Sequence, residues 1–221
     1  MDTLSLKDVK YEYRNKYQTT HALAGINYTF MRGRFYAIVG KSGSGKTTLL
    51  SMIAGLDNPT SGEVMVGETC VAGADRDKLR LEHISVIYQS LNLFPLLTVI
   101  ENVMFPLEYK KIPRTEARRV AASKLRSVGI GEKMYKRLPS MISGGEKQRV
   151  AIARALANNT EFILADEPTG NLDSENSKNI ILLLRKLAGD ENVCVIAVTH
   201  DPEVAAVADV ILKINDGVLV T

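Results

Sequence analysis

Residues 40–47 (GKSGSGKT) match the pattern GxxxxGK[ST], which is typical of loops that bind the phosphates of a nucleotide. Glycines in such a loop let backbone N–H groups approach phosphate oxygens where a side chain would collide. Lys46 supplies a point charge for the β- and γ-phosphates, and the Thr47 hydroxyl is placed to coordinate Mg²⁺. A Gly/Ser-rich turn without a ligand is the alternative interpretation. The predicted nucleotide-binding residues of this segment are Gly40, Ser42, Gly43, Ser44, Gly45, Lys46, Thr47 and Thr48.

Two adjacent carboxylates follow an apolar segment at residues 162–165 (FILA). Open α/β sheets place their ligands beyond the carboxyl ends of the strands, so this pair is predicted to lie beside the phosphate loop. Asp166 is then in position to hold Mg²⁺, through a water molecule, and Glu167 lies one residue further toward an attacking water. The alternative interpretation is that two acids merely end a strand.

A second candidate anion site lies at residues 143–146 (SGGE), which open a predicted helix. Ser143 and Glu146 fit a capping box, so a well-capped helix without a ligand is the alternative interpretation. However, Gly144 and Gly145 with a serine at a helix N-terminus also suit an anion. Two phosphate-binding helix starts, far apart in one chain, suggest a dimer whose subunits share nucleotides.

The elements around these residues predict an α/β fold. The apolar run 35–39 (FYAIV) is typical of a buried parallel strand that leads into the phosphate loop, and residues 47–54 predict the helix that leaves it. From residue 143 the pattern alternates between helix and strand, which favours a parallel sheet covered by helices. The alternating segments are a helix at 148–157, a strand at 162–165, a helix at 175–188 and a strand at 193–198.

The remaining segments predict two additions to this core. Residues 4–13 and 22–30 are predicted to form antiparallel strands, followed later by a short strand pair at 63–66 and 69–71 and a core strand at 84–88. Residues 92–140 have a helical pattern and predict an insertion on one side of the sheet. We therefore predict a single domain over residues 1–221, with a catalytic core at about 1–88 and 141–221 and a helical part at about 89–140.

Composition narrows the class of protein. The 221 residues include 45% hydrophobic and 24% charged residues, and the net charge of +3, without a basic arm, predicts no nucleic-acid partner. Arg114, Arg118 and Arg119 have the spacing of a solvated helix face. Cys70 and Cys194 lack metal-binding spacing, and Cys194 is predicted to be a small buried hydrophobe. Neither a signal peptide nor a membrane-length apolar run is found, so we expect a cytosolic chain whose membrane role needs a partner.

Taken in order along the chain, these motifs resemble the nucleotide-binding subunit of ATP-binding-cassette (ABC) transporters. The resemblance covers essentially the whole chain and implies the P-loop NTPase fold, with an N-terminal antiparallel β subdomain and a helical insertion subdomain. It rests on the phosphate loop together with Gln89, residues 142–146 (ISGGE), the strand ending in Asp166 and Glu167, residues 171–173 (NLD) and His200.

The resemblance implies a role for each matching residue. Glu167 would be the general base or would polarise the attacking water, and His200 would be the switch residue that touches the γ-phosphate. Gln89 would contact Mg²⁺ and the attacking water and sense the membrane partner, which makes Thr47, Gln89 and Asp166 the implied metal set. Asp173 would link the two sites across the dimer.

Further implied roles concern the dimer and the base. Ser143, Gly144 and Gly145 would clamp the γ-phosphate of the nucleotide held by the other subunit. Tyr13 would stack on adenine, with Tyr11 as the alternative residue. Family members usually have Leu before Ser-Gly-Gly, whereas this chain has Ile142, and we expect little functional effect from the change. His21 and His83 match no functional position and are expected on the surface.

Residues 55–63, 92–103 and 165–173 are similar to one subgroup, which contains macrolide and antimicrobial-peptide exporters and lipoprotein-releasing systems. The resemblance implies a homodimeric, ATP-hydrolysing subunit at the cytoplasmic face of the membrane that drives a separate permease, with export of a peptide, drug or lipoprotein. The alternative is the ABC ATPase of a non-transport envelope signalling complex of the cell-division type. Co-purification with a permease or with a cell-wall hydrolase regulator would separate the two.

An apolar cluster follows Gln89. Most of its members are expected in the core of the helical insertion, while one or two are expected to line a groove for a cytoplasmic helix of the partner. The cluster consists of Leu91, Leu93, Phe94, Leu96 and Leu97.

Overall fold

The computed structural model describes residues 3–220, so residues 1, 2 and 221 of the predicted domain lie outside the described residues. In this range the strands form two sheets, one of four strands in the order β2-β1-β4-β5 and one of six in the order β10-β9-β3-β8-β7-β6. The strands are β1 Thr3–Arg14, β2 Thr19–Met31, β3 Phe35–Val39, β4 Ser61–Val66, β5 Thr69–Cys70, β6 Ile84–Ile87, β7 Phe162–Asp166, β8 Cys194–Thr199, β9 Val210–Asn215 and β10 Val218–Val220.

The smaller sheet is antiparallel throughout, whereas β6, β7, β8, β3 and β9 of the larger sheet are parallel and only β10 runs antiparallel. Most of the central strands β3, β7 and β8 is buried on both faces, which explains their continuous apolar sequences. The helices are α1 Lys46–Ile53, α2 Arg76–Glu82, α3 Val99–Tyr109, α4 Arg114–Ser127, α5 Gly144–Ala157, α6 Ser174–Asp190 and α7 Pro202–Val207.

Two apolar clusters cover the two faces of the parallel sheet. Because side chains alternate along a strand, Ile163 and Ala165 of β7 point to the cluster formed with α3, α4, α5 and α6. Phe162 and Leu164 of the same strand point to the cluster formed with α1 and the antiparallel sheet. The parallel sheet is therefore a middle layer, held rigid from both sides.

The predicted elements are found, with differences at their ends. The helix predicted at 148–157 begins earlier, at Gly144, because Ser143 caps it there. The pattern at 92–140 was interpreted as helical throughout, but the first helix begins only at Val99. No element is predicted from the sequence at α2, α7, β9 or β10. In β9 the buried positions alternate with exposed ones, as expected for a strand covered on one face.

Several residue predictions can be compared with this fold. Cys194 is fully buried in β8, as predicted, and burial raises the pKa of its thiol. Arg114, Arg118 and Arg119 are exposed on α4, as predicted. His21 is exposed as expected, and His83 is less exposed than His21: 23% of its side chain reaches solvent, and its Nδ1 lies 3.0 Å from Oε2 of Glu161. No helix within residues 3–220 has the length and apolarity needed to cross a membrane.

Candidate functional site

The phosphate loop joins the carboxyl end of β3 to the start of α1, and its shape depends on two glycines. Gly45 has a left-handed φ of 104°, and a Cβ atom there would collide with the carbonyl oxygen of Ala22 on β2. A Cβ atom at Gly40 would collide with the carbonyl oxygen of Ile214 on β9. Because backbone from both sheets closes against the loop, only glycine fits at these positions.

Two polar side chains of the loop are buried. The ammonium group of Lys46 donates hydrogen bonds to the carbonyl oxygens of Gly40 and Lys41, both at 2.9 Å. Ser44 Oγ is buried and has no hydrogen-bond partner among residues 3–220. A buried hydroxyl without a partner is costly unless a ligand satisfies it. The loop therefore holds one buried positive charge, on Lys46, and one buried hydroxyl without a partner, which together suit an anionic oxygen.

Asp166 lies at the carboxyl end of β7, next to the start of α1. Burial raises the pKa of its carboxyl group, and the negative charge of Glu167 raises it further. The Lys46 ammonium and a hydrogen bond from the Thr47 hydroxyl oppose this rise in pKa only in part. Thr47 and Asp166, two of the three predicted metal ligands, therefore lie close together and offer oxygen atoms where added positive charge would be favourable.

Glu167 has a strained backbone and a well-defined side chain. Its φ is 46°, which is unusual for a residue other than glycine, and its N–H donates to the carbonyl oxygen of Val198 at 2.9 Å. Oε1 lies 2.9 Å from Nδ1 of His200, and Oε2 accepts a hydrogen bond of 3.2 Å from the Thr199 hydroxyl. The residues predicted as base and switch are thus direct neighbours at the ends of adjacent strands.

Gln89 lies two residues beyond β6, at the same edge of the sheet. Its carbonyl oxygen accepts a hydrogen bond of 3.1 Å from the Asn171 amide. The side chain amide lies close to Gly170, where an added Cβ would be 3.3 Å from Nε2, and the Gly170 N–H donates to the carbonyl oxygen of Glu167. The structure therefore brings Gln89 next to the turn that follows Glu167.

The second predicted anion site begins α5. Both halves of the capping box are present: Ser143 N–H donates to Glu146 Oε2 at 2.7 Å, and Glu146 N–H donates to Ser143 Oγ at 3.3 Å. Ser143 and Gly144 are nevertheless exposed, so their surface is free for a ligand or a second subunit. The capped-helix interpretation and the anion-site interpretation are compatible.

Asp173 is coupled to this helix start through Asn176. Asp173 caps α6, with its carboxylate accepting from the backbone N–H and the side chain amide of Asn176, both at 2.8 Å. These hydrogen bonds hold the pKa of the Asp173 carboxyl group below its usual range. A Cβ atom at Gly145 would lie 2.7 Å from Oδ1 of Asn176. The predicted γ-phosphate clamp and the predicted cross-dimer residue are therefore packed against one side chain.

Tyr13 and Tyr11, the two candidates for contact with a base, differ in environment. Tyr13 is 53% exposed, and its hydroxyl lies 3.2 Å from Oγ1 of Thr48, one turn into α1. Tyr11 packs against the core cluster of the antiparallel sheet, and its hydroxyl donates a hydrogen bond to Asp57. Only Tyr13 combines exposure with contact to the helix that follows the phosphate loop.

The expectation that most of the apolar cluster after Gln89 belongs to the core is wrong. None of its members is fully buried, and only Leu93 packs against the core on the helical side. Phe94 is 39% exposed and Leu96 is 88% exposed. The Phe94 ring packs against Phe105 at 4.4 Å between centroids, on one wall of a 510 Å³ cleft. These side chains are exposed because residues 88–98 form a surface loop that precedes α3 and is not part of that helix.

Arg154 was missed by the sequence analysis. It projects from α5 into the same cleft, and its guanidinium donates hydrogen bonds of 2.7 Å to the carbonyl oxygens of Leu91 and Asn92. Both of these residues have positive φ. Thr199 was missed as well, because a threonine at the end of an apolar strand carries no distinctive signal. In both cases only the three-dimensional neighbours indicate a function.

Comparison with known proteins identifies the family. A family model described as ABC transporter matches residues 23–170, about two thirds of the chain. The chain belongs to the ABC transporter family. The resemblance and the fold class predicted from the sequence are confirmed by this match and by the solved relative described next.

Three relatives cover essentially the whole chain. A solved dimeric structure of the ATP-binding cassette MJ0796, in a post-hydrolysis state with ADP and Pi, has a TM-score of 0.89 and 39% identity, covering 99% of this chain and 97% of the other. The lipoprotein-releasing system ATP-binding protein LolD of Shewanella frigidimarina is 41% identical over 98% of this chain and 91% of its own length. The macrolide export ATP-binding/permease protein MacB of Syntrophobacter fumaroxidans is 42% identical over 99% of this chain, which spans only 31% of MacB.

Proposed function

We propose that this chain is the ATP-binding and ATP-hydrolysing subunit of an ABC exporter, dimerises on ATP, and drives a separate membrane permease. The observation that carries the proposal is the assembly of Lys46, Asp166, Glu167 and His200 at one edge of the parallel sheet. Support comes from the relatives, since the MJ0796 cassette is a dimer with ADP and Pi, and LolD and MacB are named as parts of release or export systems.

The phosphates of ATP would bind along the loop. Lys46 would exchange its two carbonyl partners for phosphate oxygens, and Ser44 Oγ would gain the partner that it lacks within the described chain. Backbone N–H groups at the N-terminus of α1 add the favourable end of the helix dipole. Tyr13 would stack on the adenine, with its hydroxyl anchored to Thr48.

Mg²⁺ fits the same edge, and Thr47, Asp166 and Gln89 would hold it together with phosphate oxygens. The described residues contain no cluster of three or more acidic, His or Cys side chains for a metal, but Mg²⁺ typically uses one or two protein carboxylates beside substrate phosphates. The contact between the Thr47 hydroxyl and the Asp166 carboxyl, whose pKa burial and Glu167 raise, matches that requirement. When bound, the ion would neutralise charge on the phosphates.

Glu167 would accept a proton from the attacking water or polarise it. The contact of His200 Nδ1 with Oε1 and the Thr199 hydroxyl bond to Oε2 fix the carboxylate between two neighbours. The exposed ring of His200 would then contact the γ-phosphate. Ser143, Gly144 and Gly145 of a second subunit would complete the site, because Ser143 and Gly144 face solvent in the single chain.

The permease would dock in the cleft beside Phe94 and Phe105. Apolar side chains with rings exposed at a groove suit an amphipathic helix. Arg154 lies in this cleft and donates hydrogen bonds to the segment after Gln89, so docking of the permease would change the position of that segment beside the nucleotide site. The dimer would thus lie at the cytoplasmic face of the membrane. The substrate class that the relatives' names favour is a drug or a lipoprotein, and nothing in the described chain favours the signalling alternative.

The test compares Glu167→Gln with Glu203→Gln, a matched amide substitution at an exposed position on α7. We expect Glu167→Gln to bind ATP, lose most turnover and run as a dimer with ATP in size-exclusion chromatography, while Glu203→Gln behaves as wild type. A Glu167→Gln protein that stays monomeric and hydrolyses ATP normally would refute the mechanism. Purification of the complex from membranes would then identify the permease.

A further inference from the structure

We propose that Tyr11 is a positioning residue for nucleotide selection: it holds the Tyr13 ring in place for the adenine without touching the nucleotide itself. The inference rests on the proposed function of Tyr13 and deepens it. It also gives a specific role to the residue that the sequence left as an alternative base contact.

The first observation is the contact between the two rings. Their centroids are 4.9 Å apart and their planes are at 78°, which is the favourable edge-to-face arrangement. Tyr11 is the inner partner, because it packs against the core cluster that contains Leu6, Leu23 and Leu50, whereas Tyr13 is 53% exposed. An exposed ring on a strand end would otherwise be free to change rotamer. Contact with a fixed ring removes part of that freedom.

The second observation is the anchor of Tyr11. Its hydroxyl donates to the carboxylate of Asp57, which lies in the turn between α1 and β4 and also accepts from the Asn58 N–H at 2.8 Å. The bond stabilises the neutral phenol, and the pKa of Tyr11 is raised to about 12. The pKa of the Asp57 carboxyl group is lowered by the same bond. Tyr11 is therefore tied to the chain segment that follows α1.

The third observation is that Tyr13 is tied to the same helix. Its hydroxyl lies 3.2 Å from Thr48 Oγ1, and Thr48 follows Thr47 on α1. Tyr11 holds the ring from one side through a residue beyond the end of α1, and Thr48 holds its tip near the start of that helix. The position of the Tyr13 ring is thus fixed relative to the helix that begins at the phosphate loop. A base and a triphosphate of fixed separation can then be recognised together.

This arrangement makes a specific prediction about ligands. Stacking on an aromatic ring contributes directly to the binding of a base, so Tyr13→Ala should weaken ATP binding about tenfold or more. Tyr11→Phe keeps the ring and removes only the anchor to Asp57, so a smaller loss of about threefold is expected, as for a partly ordered ring. Inorganic tripolyphosphate has no base, and its affinity should not change in either variant.

The experiment measures Kd values for ATP and tripolyphosphate by calorimetry in wild type, Tyr11→Phe, Tyr13→Ala and the double variant. Tyr17→Phe is the matched control, because it removes a hydroxyl from a tyrosine that is 89% exposed in the same region. We expect Tyr11→Phe to weaken ATP about threefold in the presence of Tyr13 and to have no effect in the Tyr13→Ala background. Asp57→Ala, which removes the acceptor of the Tyr11 hydroxyl, should reproduce the effect of Tyr11→Phe and serves as the second variant if Tyr11→Phe does not fold.

The outcomes separate this proposal from the one on which it rests. If Tyr13→Ala leaves ATP binding unchanged, the adenine contact fails, and the positioning role fails with it. If Tyr13→Ala weakens ATP but Tyr11→Phe and Asp57→Ala do not, stacking stands and the positioning role is overturned. A loss for Tyr11→Phe that persists in the Tyr13→Ala background, or that extends to tripolyphosphate, also overturns it, because Tyr11 would then contact the nucleotide or support the fold generally.

Discussion

Replacing Asp166 by Asn should stabilise the isolated chain while removing its activity. The folded protein raises the pKa of the Asp166 carboxyl group, with burial as the largest cause and the charge of Glu167 as the second. The charged form is therefore less favourable in the folded chain than in the unfolded chain. Asn is uncharged and keeps an oxygen that can accept from the Thr47 hydroxyl, so it removes the penalty and retains that hydrogen bond.

The sign of the pH dependence follows from the raised pKa. The penalty is fully present above the raised folded-state pKa, declines as the pH falls through it, and is absent below the unfolded-state pKa. Asp166 is only partly shielded from water, so solvent screening limits the gain to at most about 1 kcal/mol, or about 2–4 °C in Tm for a chain of this size. The gain of Asp166→Asn should therefore be present at pH 7.5 and should disappear toward pH 4.

Thermal unfolding without nucleotide, followed by circular dichroism from pH 4 to 8, measures this difference. Asp173→Asn is the matched control with the opposite sign, because hydrogen bonds from Asn176 lower the pKa of the Asp173 carboxyl group. That variant should lose stability at neutral pH, and its deficit should persist down to about pH 4, because the lowered folded-state pKa lies below the pH range measured. An Asp166→Asn protein that is less stable than wild type at pH 7.5, or whose gain does not depend on pH, would refute the electrostatic argument.

The same substitution should lower ATP turnover although it raises stability. Asp166→Asn removes a carboxylate from the proposed Mg²⁺ site, so ATP turnover should fall at least about tenfold, and Mg²⁺ should raise the Tm of the ATP-bound protein less than in wild type. A variant with wild-type turnover at equal Mg²⁺ would exclude Asp166 from the metal site. The stability gain and the activity loss together would identify the carboxylate as a group kept for function at a cost in stability.

Two further substitutions test contacts that only the folded structure reveals. Thr199→Val removes the hydroxyl that donates to Glu167 and accepts from the Asp201 N–H. We therefore expect kcat to fall about tenfold with little change in KM for ATP, and the free energy of unfolding to fall by about 1–3 kcal/mol. An unchanged kcat would mean that Glu167 does not need this hydrogen bond. Asn176→Ala should weaken ATP-dependent dimerisation and lower the Hill coefficient of ATP hydrolysis, because Asn176 joins Asp173 to Gly145. Sedimentation with ATP checks the second prediction, with the nearby Glu175→Ala as control, and equal dimerisation of both variants contradicts it.

The parts of the fold that could be predicted are those with a distinctive sequence pattern within one short segment. The buried strands β3, β7 and β8 have continuous apolar sequences, and the glycines and lysine of residues 40–47 have fixed spacing. The strand β9 alternates between buried and exposed positions and was missed, because its identity depends on pairing with β3 far away in the chain. Sequence periodicity contains no information about which distant strand supplies the partner.

The candidate site was predictable to the same extent. Glu167 and His200 could be named from their motifs, but the Thr199 hydroxyl that donates to Glu167 could not, since this contact depends on the neighbouring ends of β7 and β8. The apolar cluster after Gln89 was assigned to the core because its composition is that of a core. The structure leaves Phe94 and Leu96 exposed, since the carbonyl groups of the preceding loop residues are held by Arg154 instead of by a helix.

The hydrogen bonds of Arg154 also explain how one exposed loop could connect the cleft proposed for the permease with the nucleotide site beside Gln89. Leu91 and Asn92 adopt consecutive positive φ values, which cost energy for residues other than glycine and persist only where neighbours impose them. The guanidinium is partly buried, and desolvation lowers its pKa, so its charge is best compensated when both carbonyl oxygens are in place. A partner that displaces this loop in the cleft must break both bonds together. Because Gln89 lies two residues before Leu91, displacement of this loop would move Gln89 as well.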